Sequence, residues 1–285
     1  MGHTRLTRVS LPVTLSRRQH ANTLIVSQPT FFIDIDGVLY DGPNLIEGGP
    51  EALACLRAHN SGFLLVTNTT RMSSADIGQK LVAMGYTVST AEIFAVSQAT
   101  AEYVSAHYGR AHCFLIGDTS LDQLFVDHGH TVTREEMPVD VVVIGQAKWA
   151  NFGEIDIARR LVDNGAEPIA MHKDPTWPDG GIIRIGLGPI VAALQSSITR
   201  PVTLIGKPEP NFFDTALART GYSRSSTIMI GDSLPTDIAG AIASGLRSLL
   251  VRTGNGSEGP LPAGCEWELP SIADLPDWYS RTFLS

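Results

Sequence analysis

Short apolar runs alternate with helix-length amphipathic segments along this chain from about Leu24 onward. Runs that are apolar on both faces are typical of strands in a parallel sheet that helices cover on each side. Glycine, proline, serine and aspartate lie between the runs, as expected of turns. The pattern therefore predicts an α/β fold with a parallel central sheet. The runs that we assign to this sheet are residues 31–33, 63–66, 93–96, 202–205 and 227–230.

Helix start and stop signals fall between these runs. Pro50 suits the first position of a helix, and Ser73 or Ser74 can cap a second helix that Gly85 ends. Pro210 and Pro235 each open a later helical segment, and the second of these ends at Gly245. The predicted helices would cover both faces of the sheet.

The middle of the chain, residues 98–200, repeats the same alternation. Its apolar runs are 113–116, 141–144 and 168–171, and on pattern alone they could continue a single sheet. The spacing of the polar clusters described below favours a separate inserted α/β domain. We therefore predict a core formed by residues 24–97 and 201–285, with residues 98–200 inserted between its two parts.

The N-terminal residues have a composition of their own. No acidic residue precedes Asp34, and arginines lie there among many serines and threonines. This composition is compatible with an organellar transit peptide or with a disordered extension. We favour the second interpretation, a disordered extension that spans residues 1–23.

Composition excludes several classes of function. The formal net charge of −8 argues against a surface that binds nucleic acid, which needs basic patches. No apolar run approaches the roughly 20 residues that span a bilayer, so we predict a soluble protein without a membrane partner. Cys55, Cys113 and Cys265 are far apart and form no CxxC motif, which favours the reducing cytoplasm. His128 and His130 are expected in a solvated loop.

Two carboxylates, Asp34 and Asp36, come directly after the first apolar run. In extended geometry they point to the same side, at the strand end where open α/β sheets bind ligands. A divalent cation would relieve the repulsion between them, and oxygen ligands favour Mg²⁺. The alternative is a β-turn capped by two aspartates.

Polar groups follow further predicted strands. Thr67 and Asn68 can hold phosphate oxygens, or can form an ordinary loop. Lys207, in the turn at residues 206–210, can neutralise phosphoryl charge, or can be a surface lysine. Asp232 can ligate a metal, and Asp237 can tether Lys207 or serve only the helix dipole.

In this order, the four clusters resemble the motifs of the haloacid dehalogenase superfamily. Residues 34–42, 206–210 and 231–238 look like the subgroup of phosphoglycolate, pyridoxal phosphate, para-nitrophenyl phosphate and ribonucleotide phosphatases. Thr69 and Pro235 depart slightly from that pattern. The resemblance implies a Rossmann-like parallel-sheet core with helices on both faces and an inserted α/β cap of the C2 type.

The resemblance also implies an activity, that of a phosphatase acting on a small phosphorylated metabolite. Asp34 would be the nucleophile and Asp36 the general acid and base, while Mg²⁺ would be held by Asp34, Asp232 and the backbone carbonyl of Asp36. The alternatives are a phosphotransferase or mutase of the same superfamily, or a non-catalytic protein that binds a phosphorylated metabolite.

Substrate choice is expected in the cap. Residues 171–178 match the place where relatives carry a specificity loop, and they include His172, Asp174 and Trp177. Trp177 could stack on a ring, and His172 with Asp174 could bind a polar head group. Alternatively, Trp177 packs inside the cap and His172 lies on the surface. A homodimer formed through the cap is one expected assembly.

Overall fold

The computed structural model describes residues 28–70, 72–145, 150–179, 182–254 and 259–285. The predicted N-terminal extension, residues 1–23, lies outside the described residues. Within the described ranges, no helix is both long and apolar enough to cross a membrane.

Strands and helices alternate along the described chain. The strands are β1 (Thr30–Asp34), β2 (Tyr40–Asp41), β3 (Asn44–Leu45), β4 (Phe63–Thr67), β5 (Ile93–Ala95), β6 (His112–Ile116), β7 (Thr131–Thr133), β8 (Val141–Ile144), β9 (Glu167–Ala170), β10 (Thr176–Asp179), β11 (Ile182–Ile185), β12 (Thr203–Leu204), β13 (Thr227–Gly231), β14 (Arg247–Val251) and β15 (Trp267–Leu269). The α-helices are α1 (Gly49–Ala58), α2 (Ser74–Ala83), α3 (Val96–Tyr108), α4 (Ser120–Asp127), α5 (Phe152–Asp163), α6 (Gly188–Gln195), α7 (Pro210–Thr220), α8 (Ala239–Ala243) and α9 (Leu275–Tyr279). A π-helical turn, Leu234–Ile238, leads directly into α8.

The central sheet has the strand order β15-β14-β13-β1-β4-β5, and all its pairings are parallel. In β1, Ile33 lies opposite Ile230 of β13 and Leu65 of β4. The runs predicted at residues 31–33, 63–66 and 227–230 are confirmed as strands of this sheet, and so is 93–96 up to Ala95, because Val96 begins α3. The strands β14 and β15 extend it beyond the prediction.

A second parallel sheet has the strand order β12-β9-β8-β6-β7. The assignment of residues 202–205 to the central sheet was wrong, because Thr203 pairs with Ile169 and Leu204 with Ala170 of β9. An apolar run shows that a strand is covered but not which neighbour receives its hydrogen bonds. The extent of the inserted domain, 98–200, stays a prediction, although β12 lies beyond its predicted end.

Apolar side chains alternate between the two faces of the central sheet. Phe31 and Ile33 face a cluster that includes residues of α1, α2 and α9. Phe32 and Leu64 face the opposite cluster, which continues into the second sheet through residues such as Phe114. Full burial of a side chain such as Phe32 stabilises the fold by about 1.5–3 kcal/mol. The predicted α/β class with helices on both faces is confirmed.

One helix start shows how local sequence sets an element boundary. The hydroxyl of Ser73 accepts from the N–H of Asp76 at 3.1 Å, and the Asp76 carboxylate accepts from the N–H of Ser73 at 3.2 Å. This capping box satisfies donors that the first turn of α2 would otherwise leave free. Ser73, rather than Ser74, is therefore the cap of this helix.

Candidate active site

The polar groups that follow β1, β4 and β13 meet at one edge of the central sheet. Because β1 lies between the other two strands in parallel pairing, the carboxyl ends of all three are neighbours. The segment after β12 brings Lys207 to the same place. These groups line a cleft of about 580 Å³. The lining includes eight site residues that the sequence predicted: Asp34, Asp36, Thr67, Asn68, His172, Asp174, Lys207 and Asp232. It also includes residues that the sequence did not single out, among them Thr176, Gly186, Ser233 and Thr236.

Lys207 lies between two buried carboxylates. Its Nζ is 2.7 Å from Asp34 Oδ1 and 2.8 Å from Asp237 Oδ1, and the Lys207 and Asp237 side chains are 2% and 0% exposed. Burial alone would lower the pKa of Lys207, but the charges of Asp237 and Asp34 outweigh it and raise that pKa above its usual value. Lys207 is therefore a cation at neutral pH and not the surface residue of the alternative interpretation.

The surroundings of Asp34 disfavour its charged form, whereas those of Lys207 favour the charged form. Burial, followed by repulsion from Asp237, raises its pKa well above the usual value, although Lys207 opposes the shift. Carboxylate oxygens of Asp34, Asp232 and Asp237 lie within 4.8 Å of one another. These three buried carboxylates fit a divalent cation such as Mg²⁺. The Lys207 ammonium lies between Asp34 and Asp237 only, and added positive charge would stabilise Asp34 as an anion.

Asp36 lines the cleft as an exposed residue, and its carboxylate does not belong to the cluster of Asp34, Asp232 and Asp237. In the sequence interpretation, the backbone carbonyl of Asp36 ligates the metal and its side chain transfers the proton, and both roles stay predictions.

Glycines leave space for the Asp232 carboxylate. Gly37 has φ +81° and Gly254 has φ +62°, and a Cβ at either position would overlap Asp232 Oδ2. Thr253 Oγ1 donates to the carbonyl of Gly37 at 2.6 Å and so ties the two loops together. Sequence reasoning missed Thr253 and Gly254. The signal available was a glycine-containing segment directly after the apolar run that forms β14.

The loop after β4 has two different roles. Thr67 Oγ1 accepts from the N–H of Thr69 at 3.0 Å, which leaves its own O–H to donate into the cleft. Asn68 instead bonds Lys207, since its Nδ2 donates to the Lys207 carbonyl at 2.8 Å and its Oδ1 accepts from the Lys207 N–H at 2.9 Å. Any phosphate contact of Asn68 would therefore use its backbone N–H.

His172 and Asp174 reach the cleft from the inserted segment, so the surface interpretation of His172 was wrong. Nδ1 of His172 accepts from the N–H of Asp174 at 3.2 Å, and burial lowers the pKa of this imidazole. The same nitrogen lies 3.2 Å from Asp174 Oδ2, so the imidazole and the carboxylate form one polar pair at the cleft. Trp177 lies in β10, opposite Arg184 of β11, and its role stays a prediction.

Comparison with known proteins places this geometry in a family. Residues 31–131 match the model of a haloacid dehalogenase-like hydrolase, and residues 204–275 match a HAD-hydrolase-like model. The haloacid dehalogenase-like hydrolase domain-containing protein 2 of Bos taurus is 34% identical over 223 residues, which cover 78% of this chain and 83% of that protein. The chain belongs to the haloacid dehalogenase-like hydrolase family.

Other relatives of this hydrolase carry phosphatase names. The 5'-nucleotidase YutF of Bacillus subtilis is 28% identical over 248 residues, covering 87% of this chain and 96% of that protein. The acid sugar phosphatase of Staphylococcus epidermidis is 30% identical over 224 residues, covering 79% and 86%. The 4-nitrophenylphosphatase structure from Thermotoga maritima superposes with a TM-score of 0.80 at 29% identity, covering 88% and 97%. The predicted resemblance and the predicted enzyme class, a phosphoric monoester hydrolase, are confirmed.

Proposed function

We propose that this hydrolase is a Mg²⁺-dependent phosphatase that releases phosphate from a small phosphorylated metabolite through an aspartyl-phosphate intermediate. The observation that carries the proposal is the position of Asp34, which emerges from the middle of the sheet into the cleft with Lys207 at 2.7 Å. A carboxylate oriented in this way, beside a fixed cation, is suited to attack an electrophile that bears negative charge.

In the first step, an oxygen of Asp34 forms a bond to phosphorus while the bond from phosphorus to the substrate oxygen breaks. Asp36, exposed in the cleft, donates its proton to the leaving oxygen. In the second step, Asp36 takes a proton from water, and the water oxygen displaces Asp34 from phosphorus. Phosphate leaves, and both aspartates return to their initial states.

The remaining residues hold charge and position. Lys207 offsets the charge on the phosphoryl oxygens, and Asp237 holds its ammonium in place. The hydroxyl of Thr67 and backbone N–H groups of its loop would donate to the same oxygens. Asp34, Asp232 and the Asp36 carbonyl would hold Mg²⁺, which when bound would neutralise phosphoryl charge and align the ester for in-line displacement.

The cleft itself supports a small substrate, because about 580 Å³ is in the range of pockets for metabolites. The His172 imidazole and the Asp174 carboxylate offer polar contacts to a head group. We propose three substrate classes: sugar phosphates, nucleoside monophosphates and pyridoxal phosphate. A similar protein from Corynebacterium glutamicum is named a dihydroxyacetone phosphatase. Phosphate release from a panel of these esters would rank them.

The catalytic proposal is tested with the Asp34→Asn protein and an aryl phosphate in the presence of Mg²⁺. We expect a loss of about a thousandfold or more in kcat, the scale seen when a nucleophile is removed. Asp41→Asn, an exposed carboxylate on β2, is the matched control and should keep its activity. Near wild-type turnover by Asp34→Asn would refute the proposed role.

The acceptor distinguishes hydrolysis from phosphoryl transfer. If the protein were a phosphotransferase or mutase, added alcohols or sugar phosphates would receive the phosphoryl group, and free phosphate would fall short of the alcohol released. A non-catalytic protein would release no phosphate at all. A homodimer through the inserted domain, a cytoplasmic location and the absence of nucleic-acid or membrane partners stay predictions.

A further inference from the structure

One hydrogen bond crosses the carboxyl edge of the central sheet at the strand that carries Asp232. Thr253 follows β14 and Gly37 follows β1, whereas Asp232 follows β13, which lies between these two strands in the sheet. Thr253 Oγ1 donates to the Gly37 carbonyl at 2.6 Å. The loops after β1 and β14 are therefore joined across the end of β13.

The two joined loops form the walls of a slot that holds the Asp232 carboxylate. Asp232 is 1% exposed, and its Oδ2 occupies the place where a Cβ on Gly37 or on Gly254 would stand. A Cβ on Gly254 would also lie 2.8 Å from Gly37 Cα, so the two walls approach each other closely. Glycine at both positions leaves the slot wide enough for a carboxylate, and the walls limit how that carboxylate can turn.

The slot holds this carboxylate against electrostatic repulsion. Carboxylate oxygens of Asp34, Asp232 and Asp237 lie within 4.8 Å of one another, and like charges at that distance repel. A carboxylate that could turn freely would move away from the other two. A cation would then have to draw it back, and binding would be weaker than at a site whose ligands are already in place.

Thr253 also completes the restraint of the backbone at Gly37. The Gly37 N–H donates to the Tyr40 carbonyl at 2.7 Å, and the Gly37 carbonyl accepts from Thr253. The peptide groups on the two sides of Gly37 are thus each fixed by a hydrogen bond, although a glycine at φ +81° could otherwise adopt many conformations. Since the Asp36 carbonyl, a predicted metal ligand, belongs to the first of these peptide groups, its direction depends on the same restraint.

We propose that Thr253 is a positioning residue for the cation site, an inference that rests on the Mg²⁺ dependence in the proposed function. Its hydroxyl keeps the loops of Gly37 and Gly254 closed on Asp232, so that the carboxylate is in place beside Asp34 before a cation binds. Thr253 acts through the Gly37 carbonyl and is not itself a ligand. Residues that orient metal ligands in this way affect the affinity for the metal directly.

The test is calorimetric titration of the full chain with Mg²⁺ alone, in the absence of substrate. Thr253→Val keeps the β-branched shape and removes the hydroxyl donor. We expect it to bind Mg²⁺ at least about tenfold more weakly than wild type, the lower end of the effect of losing a group that orients a metal ligand. Thr253→Ser retains the hydroxyl and should restore an affinity close to that of wild type.

Thr215→Val is the matched control. Thr215 Oγ1 donates to the Asn211 carbonyl at 2.7 Å within α7, so the substitution removes the same kind of hydrogen bond at a position outside the cation site. It should keep the Mg²⁺ affinity of wild type. Urea unfolding without Mg²⁺ compares the stability of the two valine variants. A weaker affinity confined to Thr253→Val, at similar stability, would separate the positioning role from a purely structural one.

Two results would overturn the positioning role and leave the proposed phosphatase function intact: wild-type Mg²⁺ affinity in Thr253→Val, or an affinity in Thr253→Ser that is as weak as in Thr253→Val. Absence of Mg²⁺ binding by wild type would instead refute both the positioning role and the metal dependence of the proposed function. If Thr253→Val does not fold, Thr253→Ala replaces it, with the same loss of affinity expected and an unchanged affinity counting against the proposal.

Discussion

Asn68 holds the backbone of Lys207 through both ends of its side-chain amide. Nδ2 donates to the Lys207 carbonyl at 2.8 Å, and Oδ1 accepts from the Lys207 N–H at 2.9 Å. The loop after β4 is thereby fixed to a residue 139 positions further along the chain. Because the ammonium of Lys207 must stay between Asp34 and Asp237, Asn68 acts on the reaction as a positioning residue.

Asn68→Ala should lower kcat more than it changes KM. Loss of two hydrogen bonds corresponds to about 1–3 kcal/mol, or roughly a 5- to 150-fold decrease if it is expressed wholly in the transition state. Asn211→Ala is the control, since that amide donates to the Leu204 carbonyl at 3.0 Å and does not contact Lys207 among the described residues. Steady-state kinetics with an aryl phosphate provide the measurement, and equal kcat values for the two variants would contradict the positioning role.

Lys207→Met should lower the free energy of unfolding and make that free energy more dependent on Mg²⁺. It leaves Asp34 and Asp237 buried without their cation, a change that costs about 3–5 kcal/mol in comparable pairs. A divalent cation would recover part of this, so added Mg²⁺ should stabilise the variant more than wild type. Urea unfolding with and without Mg²⁺ measures both effects.

Lys173→Met is the control for that experiment. Its ammonium is 3.6 Å from Glu209 and its side chain is 60% exposed, so the free energy of unfolding should change by less than about 1 kcal/mol. A Lys207→Met protein as stable as Lys173→Met in the absence of Mg²⁺ would show that the buried ion pairs matter little.

Gly37→Ala should weaken metal binding. The new Cβ would displace the Asp232 carboxylate, and the residue would also be strained at φ +81°. Gly42→Ala separates the two effects, because Gly42 has φ +57° with no atom within 4 Å of an added Cβ. We expect Gly42→Ala to keep its Mg²⁺ response, while Gly37→Ala needs at least about tenfold more Mg²⁺ for half-maximal activity, the effect typical of losing a residue that orients a metal ligand.

Removal of metal provides a more direct test of the acidic cluster. Dialysis against a chelator should abolish phosphate release, and added Mg²⁺ should restore it. Ca²⁺ should restore it poorly, because its longer and more variable oxygen distances suit in-line displacement less well. Full activity after exhaustive chelation would refute metal dependence.

His130 should make the protein less stable in mild acid. It was expected in a solvated loop, but it is 3% exposed, with Nδ1 accepting from the Ala111 N–H at 3.2 Å. Burial lowers its pKa, so protons bind to the unfolded chain first as the pH falls below about 6.5. The free energy of unfolding should therefore decrease from that pH downward, until the lower pKa of the folded state is passed.

The check is the pH dependence of urea unfolding between about pH 7.5 and 5.5. His130→Gln removes the titrating group and should flatten the curve relative to wild type. Parallel curves for wild type and His130→Gln would contradict the prediction.

The strands and the polar residues at their ends could be predicted from the sequence, because both depend on short segments of the chain. Buried runs of the kind at β1, β4 and β13 have few alternatives to a covered parallel sheet. The polar residues that follow them, among them Asp34 and Asp232, must emerge at one edge once the strands are parallel. The class of fold and the presence of Asp34 and Asp232 in the candidate site follow from these short segments alone.

Pairing between distant segments was decided only by tertiary structure. The residues of β12 are apolar enough for either sheet, and in the structure β12 pairs with β9 at the edge of the second sheet. The amide of Asn68 is equally able to bind phosphate or a peptide, and the approach of Lys207 determines which. Hydrogen bonds and buried charges depend on which partner lies within about 3 Å, and a linear sequence of residue types does not specify that distance.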